Sequence, residues 1–311
     1  MLARILSFHQ IMPDYLDFLA SFGLQSTARD VYFSCFRRQA NLKKPPTSLV
    51  IDSLGRSGKQ YQLLYNLKAV ALKSTNTEDL QKSQWSIRNA AFYHQFDVGT
   101  CRAVWVVTKA RMDIYDSYKE LTGADARPED KAFGTDEECF VSSLAPHVLF
   151  CQWAMEDWRG YLRWLESAVD QEGRMAVLGP REKGHDPERY QPRHVRRMQL
   201  WAEMAGEAVV VLEGNVDVMS SLRKFYLGLL KEPGFPLRGA CESDIVEFAN
   251  QLEAMIGDCK NNIGRARALL KTTADRREMV KSPPSIARSR LLTTYRWSCT
   301  VRTKRLSACT G

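Results

Sequence analysis

The stretch NAAFYHQFDVGTCRAVWVVTK, residues 89–109, decides the fold. Two runs rich in aromatic and β-branched residues flank DVGT, which carries the glycine a tight turn favours. The pattern predicts a β-hairpin, with Gly99 supplying a positive φ. Working towards the N-terminus, GKQYQLLYNLKAV places Tyr61, Leu63, Tyr65 and Leu67 on one face, the period of two of a half-buried strand. VYFSCF, residues 31–36, reads as a further strand ahead of the loop KKPPTS.

Working towards the C-terminus, the period changes. Phe150, Ala154, Trp158, Tyr161, Leu165 and Val169 recur every three or four residues and predict one helix over 147–169. Residues 171–197 are rich in Gly, Pro and charge and read as a polar loop or insertion. A second helix is expected over 198–230, with Val211, Leu212, Val218, Met219, Leu222, Phe225 and Leu229 on its apolar side. KEPGFPLRGA ends it, because proline cannot continue a helical ladder. A third helix starts at Ser243 or Asp244, with Glu247 placed for a capping box. Its stripe runs Ile245, Phe248, Leu252, Met255, Ile256, Cys259, Ile263, Ala266, Leu269, Leu270 and Thr273, a spacing suited to packing along another long helix. The expected organisation is an α/β part over 1–170, the loop 171–197, a helical hairpin over 198–281 and a disordered basic tail over 282–311. The fold class is α+β: a mixed α/β domain with a β-hairpin, followed by long antiparallel helices.

The formal charge of +8 invites a nucleic-acid reading. Residues 282–311 hold six of the 44 basic residues and no acidic one, which leaves 38 basic against 36 acidic in the body. The excess belongs to the tail, a solvated Arg-bearing segment, and no specific nucleic-acid partner is expected. No run reaches the roughly 18 apolar residues of a membrane helix; the densest, AVVVL at 208–212, stops at Glu213. The N-terminal MLARILSFHQIMP is too short in apolar residues for a signal peptide. Eight cysteines without a CxxC pair read as reduced thiols of a cytosolic protein.

Candidate chemistry is thin. LGRSGKQ, residues 54–60, imitates a phosphate loop, but Ser53 stands where that motif needs its first glycine and Gln60 where it needs Ser or Thr. A turn before a strand is the better reading. His94 reads as structural rather than as a ligand or base. Cys139, His147 and Cys151 are metal-capable but match no zinc spacing. Trp153, Trp158, Tyr161 and Trp164, at helical spacing, read as core and not as a base-stacking platform. No nucleophile–base arrangement can be assembled, so no catalytic residue and no cofactor-binding residue is assigned, metal-binding residues are left unknown, and an enzyme is not expected.

Five strings carry a resemblance. SFHQIMPDYLDFLASFG (7–23), LGRSGKQYQLLYNL (54–67), QWSIRNAAFYHQFDVGTCRAVWVVTK (84–109), AVVVLEGNVDVMSSLRKFY (208–226) and RARALLKTTADRR (265–277) resemble, in consistent order, the N-terminal cytosolic region of fungal CorA-like transporter-domain proteins. The resemblance implies a cytosolic α/β domain followed by a long stalk helix, five subunits around a pore for magnesium or related divalent ions, and a regulatory divalent cation held by acidic side chains between subunits. It also implies a Gly-Met-Asn motif, which this sequence lacks; the nearest string is EGN at 213–215. By this comparison residues 198–230 correspond to the helix beside the stalk and 244–281 to the upper stalk. The expectation is a CorA-like domain related to divalent metal transport, truncated before its transmembrane pore and not transport-competent alone. It is cytoplasmic as written, and membrane-associated if a longer form carries the family's transmembrane helices. The alternative is a soluble interaction or regulatory protein that keeps the fold without transport.

Overall fold

The computed structural model describes residues 2–22, 32–43, 46–72, 85–108, 112–124, 131–178 and 192–281. Two helices, α1 (Leu2–Phe8) and α2 (Tyr15–Ala20), precede an antiparallel sheet of four strands in sequential order. The strands are β1 (Phe36–Asn41), β2 (Gln60–Leu72), β3 (Trp85–Asp97) and β4 (Arg102–Thr108). Then come α3 (Met112–Thr122), α4 (Asp136–Ser142), α5 (Ala145–Met155), α6 (Trp158–Leu178), α7 (Pro192–Leu229) and α8 (Glu242–Lys281). The mixed α+β class with long helices is as the periodicities imply. The chain divides into two compact units, one of residues 1–162 and 207–264, the other of 163–206 and 265–311.

The hairpin of 89–109 is present as β3 and β4, paired from Asp97↔Arg102 to Ala91↔Thr108. Its turn differs in one respect. Cys101, at φ 51°, takes the left-handed conformation, and Gly99 does not. Gly99 is required for a different reason: a Cβ there would lie 2.6 Å from Ser57 Oγ. Ser57 is drawn in by Asp97, whose carboxylate accepts from its N–H at 2.8 Å and its hydroxyl at 2.5 Å, and also from the Gly99 and Thr100 N–H groups. The LGRSGKQ segment is thus a turn pinned to the hairpin, with Gly55 and Gly58 at φ 61° and 72°.

β2 departs from the half-buried expectation. Residues 60–70 are buried on both faces. One face, with Tyr61 and Tyr65, packs against aromatic residues of α5 and α7. The other is covered by the N-terminal helices: Met12, Tyr15 and Phe18 close over Leu64, Ala91 and Tyr93, and the Tyr15 hydroxyl bonds Thr108. A second cover leaves no solvent side, so alternation cannot show in the burial. The strand expected over 31–36 begins only at Phe36. The reason lies in β2: the Phe33 carbonyl accepts from Asn66 Nδ2 at 2.7 Å and Lys68 Nζ at 2.6 Å, and Cys35 N–H donates to Asn66 Oδ1 at 2.9 Å. Side chains of β2 take over most of the ladder there, beside one long bond from the Asn66 N–H to the Cys35 carbonyl at 3.4 Å.

The helical stripes hold. All six residues from Phe150 to Val169 are buried, but on two helices. Asp157, at φ 62°, breaks the expected single helix between α5 and α6. Residues 171–178 and 192–197, expected in a loop, are helical. The physical causes are legible afterwards. Pro192 opens α7, where a missing N–H costs nothing, and the space beside Gly173 is filled by the Arg276 side chain. α7 and α8 run antiparallel. Cys259 Sγ donates to the Leu212 carbonyl at 3.3 Å and Arg223 Nε to that of Ala249 at 3.2 Å. In the second unit Leu270 lies beside Gly206 and Arg277 bonds Gln199. Arg265 forks onto the Glu166 carboxylate there, at 2.9 and 3.0 Å. The α8 stripe is therefore largely covered within the chain: Ile245, Phe248, Leu252, Ile256, Cys259, Ile263, Ala266, Leu269 and Thr273 are buried, and Met255 and Leu270 half-buried. The expected tail 282–311 lies outside the described residues.

Candidate functional site

Two of the residues singled out in the sequence meet at the junction between the sheet and the helices. His94, central in β3, meets His147 of α5, 53 residues later, with His147 Nε2 3.0 Å from His94 Nδ1. The Tyr65 hydroxyl pairs with His147 Nδ1 at 2.7 Å, and the Tyr226 hydroxyl, from α7, with its Nε2 at 2.8 Å. Trp105 of β4 stacks on His94 at 4.2 Å, and Phe248 of α8 packs against His147 and Tyr226. Both imidazoles are fully buried, and His94 Nε2 has no hydrogen-bond partner. Burial drives both towards the neutral form: His94 is pushed down to about 3, and His147 falls well below the usual histidine range, its neighbour's charge adding to the effect. Burial raises the Tyr65 and Tyr226 hydroxyls. No carboxylate joins this cluster among the described residues, so a proton has nowhere to be compensated.

His94 thus sits in a buried pair that sequence spacing had no means to reveal. The group Cys139, His147 and Cys151 does not assemble into a centre. Cys151 is a buried thiol of α5, raised to about 12 by burial; Cys139 instead shares a cavity of about 420 Å³ with Cys101. Among the described residues no three His, Cys, Asp or Glu side chains are placed to hold a metal ion. Trp153, Trp158 and Tyr161 are core, and Trp164 meets Trp201 edge-on.

A second polar cluster joins β2 to α7. The Asn215 amide accepts from Lys68 N–H at 3.0 Å and donates to the Lys68 carbonyl at 2.7 Å. β1 pairs with β2 only from Gln60 to Tyr65, so the Lys68 backbone lies beyond that partner. One side-chain amide stands in for a neighbouring strand. Gly214 precedes it because a Cβ there would collide with Ser34. EGN is accordingly a docking element of a helix inside the fold.

The Lys68 ammonium is fully buried and donates to Phe33 O at 2.6 Å and Ser34 Oγ at 2.5 Å. Desolvation lowers it to about 8. Between pH 8 and the unfolded value near 10.5 the unfolded chain binds the extra proton, so this group makes the fold more stable as pH rises through that window. Relative to Lys68→Met, the wild type should gain about 3 kcal/mol between pH 8 and 10.5. Urea unfolding of both proteins across that range measures it; a constant difference would show that burial does not lower the Lys68 ammonium.

Two comparisons place these features. The family described as CorA-like transporters matches residues 1–177, the segment that contains the sheet, its covering helices and most of α6. No curated protein matches.

Proposed function

The chain belongs to the CorA-like transporters, and from that premise we propose that it is the non-membrane part of a magnesium-type divalent cation transport system and does not conduct ions by itself. The observation that carries the reading is the match across the whole α/β layer, from which α7 and α8 extend as helices of 38 and 40 residues. No helix of the described residues is long and apolar enough to cross a membrane, so an ion path needs residues other than these. In this reading the chain works on the cytoplasmic side of the membrane as a homo-oligomer, a pentamer by family, and the cation is cargo and regulator. Because the described residues offer no metal centre within one copy, no step of the reading runs through one.

A second reading, an interaction or regulatory protein that keeps the fold without transport, draws support from the covered α8 stripe. A helix already satisfied by its own chain needs no pore-forming neighbour to be stable. Light scattering coupled to size-exclusion chromatography, in EDTA and in millimolar magnesium, separates the two. Divalent-dependent assembly to a pentamer is expected of the transport-linked protein; a monomer indifferent to magnesium would overturn that reading and leave the second.

A further inference from the structure

Four buried polar atoms without partners belong to the loop before β2, to β2 and to the segment after α1: Arg56 Nη1, Gln60 Nε2, Gln62 Oε1 and Gln10 Oε1. The Gln62–Gln10 bond and the approach of Arg56 to Phe8 bring these segments to the same side of the sheet. The three glutamines are each held in place by the other end of the amide. Gln62 Nε2 donates to the Gln10 carbonyl at 3.2 Å, Gln10 Nε2 to the Ser48 carbonyl at 3.1 Å, and Gln60 Oε1 accepts from Gln95 Nε2 at 2.6 Å. The backbone carbonyls they bond fix which ends of Gln10 and Gln62 are spare; Gln60 and Gln95 form a chain with the Tyr93 hydroxyl, oriented here so that Gln60 Nε2 is the spare end. Gln60 and Gln62 are 1% and 3% exposed, so solvent does not satisfy them.

Arg56 brings charge to the same place. Its guanidinium lies 5.0 Å from the Phe8 ring, and its field acts on both His9 and Tyr93. It pairs with no carboxylate among the described residues. The left-handed Gly55 and Gly58 shape the loop, and a two-way backbone bridge between Arg56 and Ile51 closes it. A half-buried cation without a counter-charge, beside one spare donor and two spare acceptors, is an unfilled recognition pattern.

We propose that Arg56, Gln60, Gln62 and Gln10 form a binding site for a phosphate group that carries a hydroxyl, either free hydrogen phosphate or a phosphomonoester. The guanidinium and the Gln60 amide donate to the anionic oxygens. The Gln10 and Gln62 carbonyls accept from the hydroxyl of the phosphate or, for an ester, of its alcohol part. An anion without a proton fits less well, because those two carbonyls would face oxygens. Entry is by displacement of α1, which buries no residue of its own. The LGRSGKQ segment would then bind phosphate through side chains rather than through the backbone cradle its sequence imitates. This inference does not depend on transport.

The test is calorimetric titration of the full chain with inorganic phosphate, sulfate and glycerol phosphate, together with melting scans. Saturable phosphate or glycerol phosphate binding, at least about tenfold tighter than sulfate, is expected, with a higher melting temperature. Whichever of the two phosphates binds tighter identifies the source, and either result supports the site. Arg56→Gln should lose the binding and Arg56→Lys keep part of it, both with an unchanged circular dichroism spectrum. If Arg56→Gln does not fold, the Lys variant and the sulfate comparison still decide. No saturable phosphate binding by the wild type, equal binding of sulfate, or undiminished binding by Arg56→Gln would each overturn the proposal.

Discussion

Lowering the pH from 6.5 to 4.5 should remove roughly 2.5 kcal/mol of folding stability through His94 alone, with a further loss of the same sign through His147. Both imidazoles are buried neutral and held below the usual range, so in this window the unfolded chain binds protons that the folded chain does not. Stability therefore falls as pH falls below 6.5, by about 1.4 kcal/mol per pH unit for His94. That loss is a large fraction of the whole stability of an ordinary domain. His94→Phe keeps an aromatic ring against Trp105 and removes its titration; its stability should depend on pH less steeply. Urea unfolding at intervals between pH 4.5 and 7.5 gives both slopes. Equal slopes for the two proteins would mean that the imidazole of His94 is not excluded from protonation in the fold.

The second large effect concerns Asn215. Replacing it with Leu keeps the volume but strands the Lys68 N–H and carbonyl, both buried. At about 1–3 kcal/mol for each unsatisfied group, the expected cost is about 4 kcal/mol. Ser220→Ala, an exposed change on the same helix, should stay within about 0.5 kcal/mol and serves as the control. A loss no greater than that of the control would show that Asn215 does not stand in for a strand.

What the sequence reveals and what it hides divide along a physical line. The stripes of α5 to α8 are legible because helical period and burial are locally coupled: each stripe residue faces a neighbour for the full length of its helix. The hairpin is legible for the same reason at a period of two. Three features are illegible. The pairing of His94 with His147 is a property of two elements 53 residues apart, and neither sequence neighbourhood carries a trace of the other. Burial of β2 on both faces depends on α1 and α2, whose short apolar runs carry no mark of the sheet face they cover. Gly99 and Gly173 look like breakers because a glycine marks a turn when its φ demands it. Here they answer instead to side chains arriving from elsewhere, Ser57 and Arg276. Each cluster holds residues that drew notice in the sequence, His94 and His147, the EGN string and the LGRSGKQ loop, but the spare donors and acceptors near Arg56 come from residues spread between positions 10 and 62.

The cysteines carry a practical consequence. Cys101, Cys151, Cys241 and Cys259 are buried, unpaired, and raised to between about 11 and about 12, chiefly by desolvation. A thiolate, not a thiol, is what attacks an alkylating reagent. In the closed fold these four positions are chemically silent, and each becomes labelled only when its own part of the chain opens. Mass spectrometry of alkylated peptides would therefore read local breathing at the hairpin turn, at α5, ahead of α8 and within α8, with no probe added to the protein: the chain carries its own clock at four places.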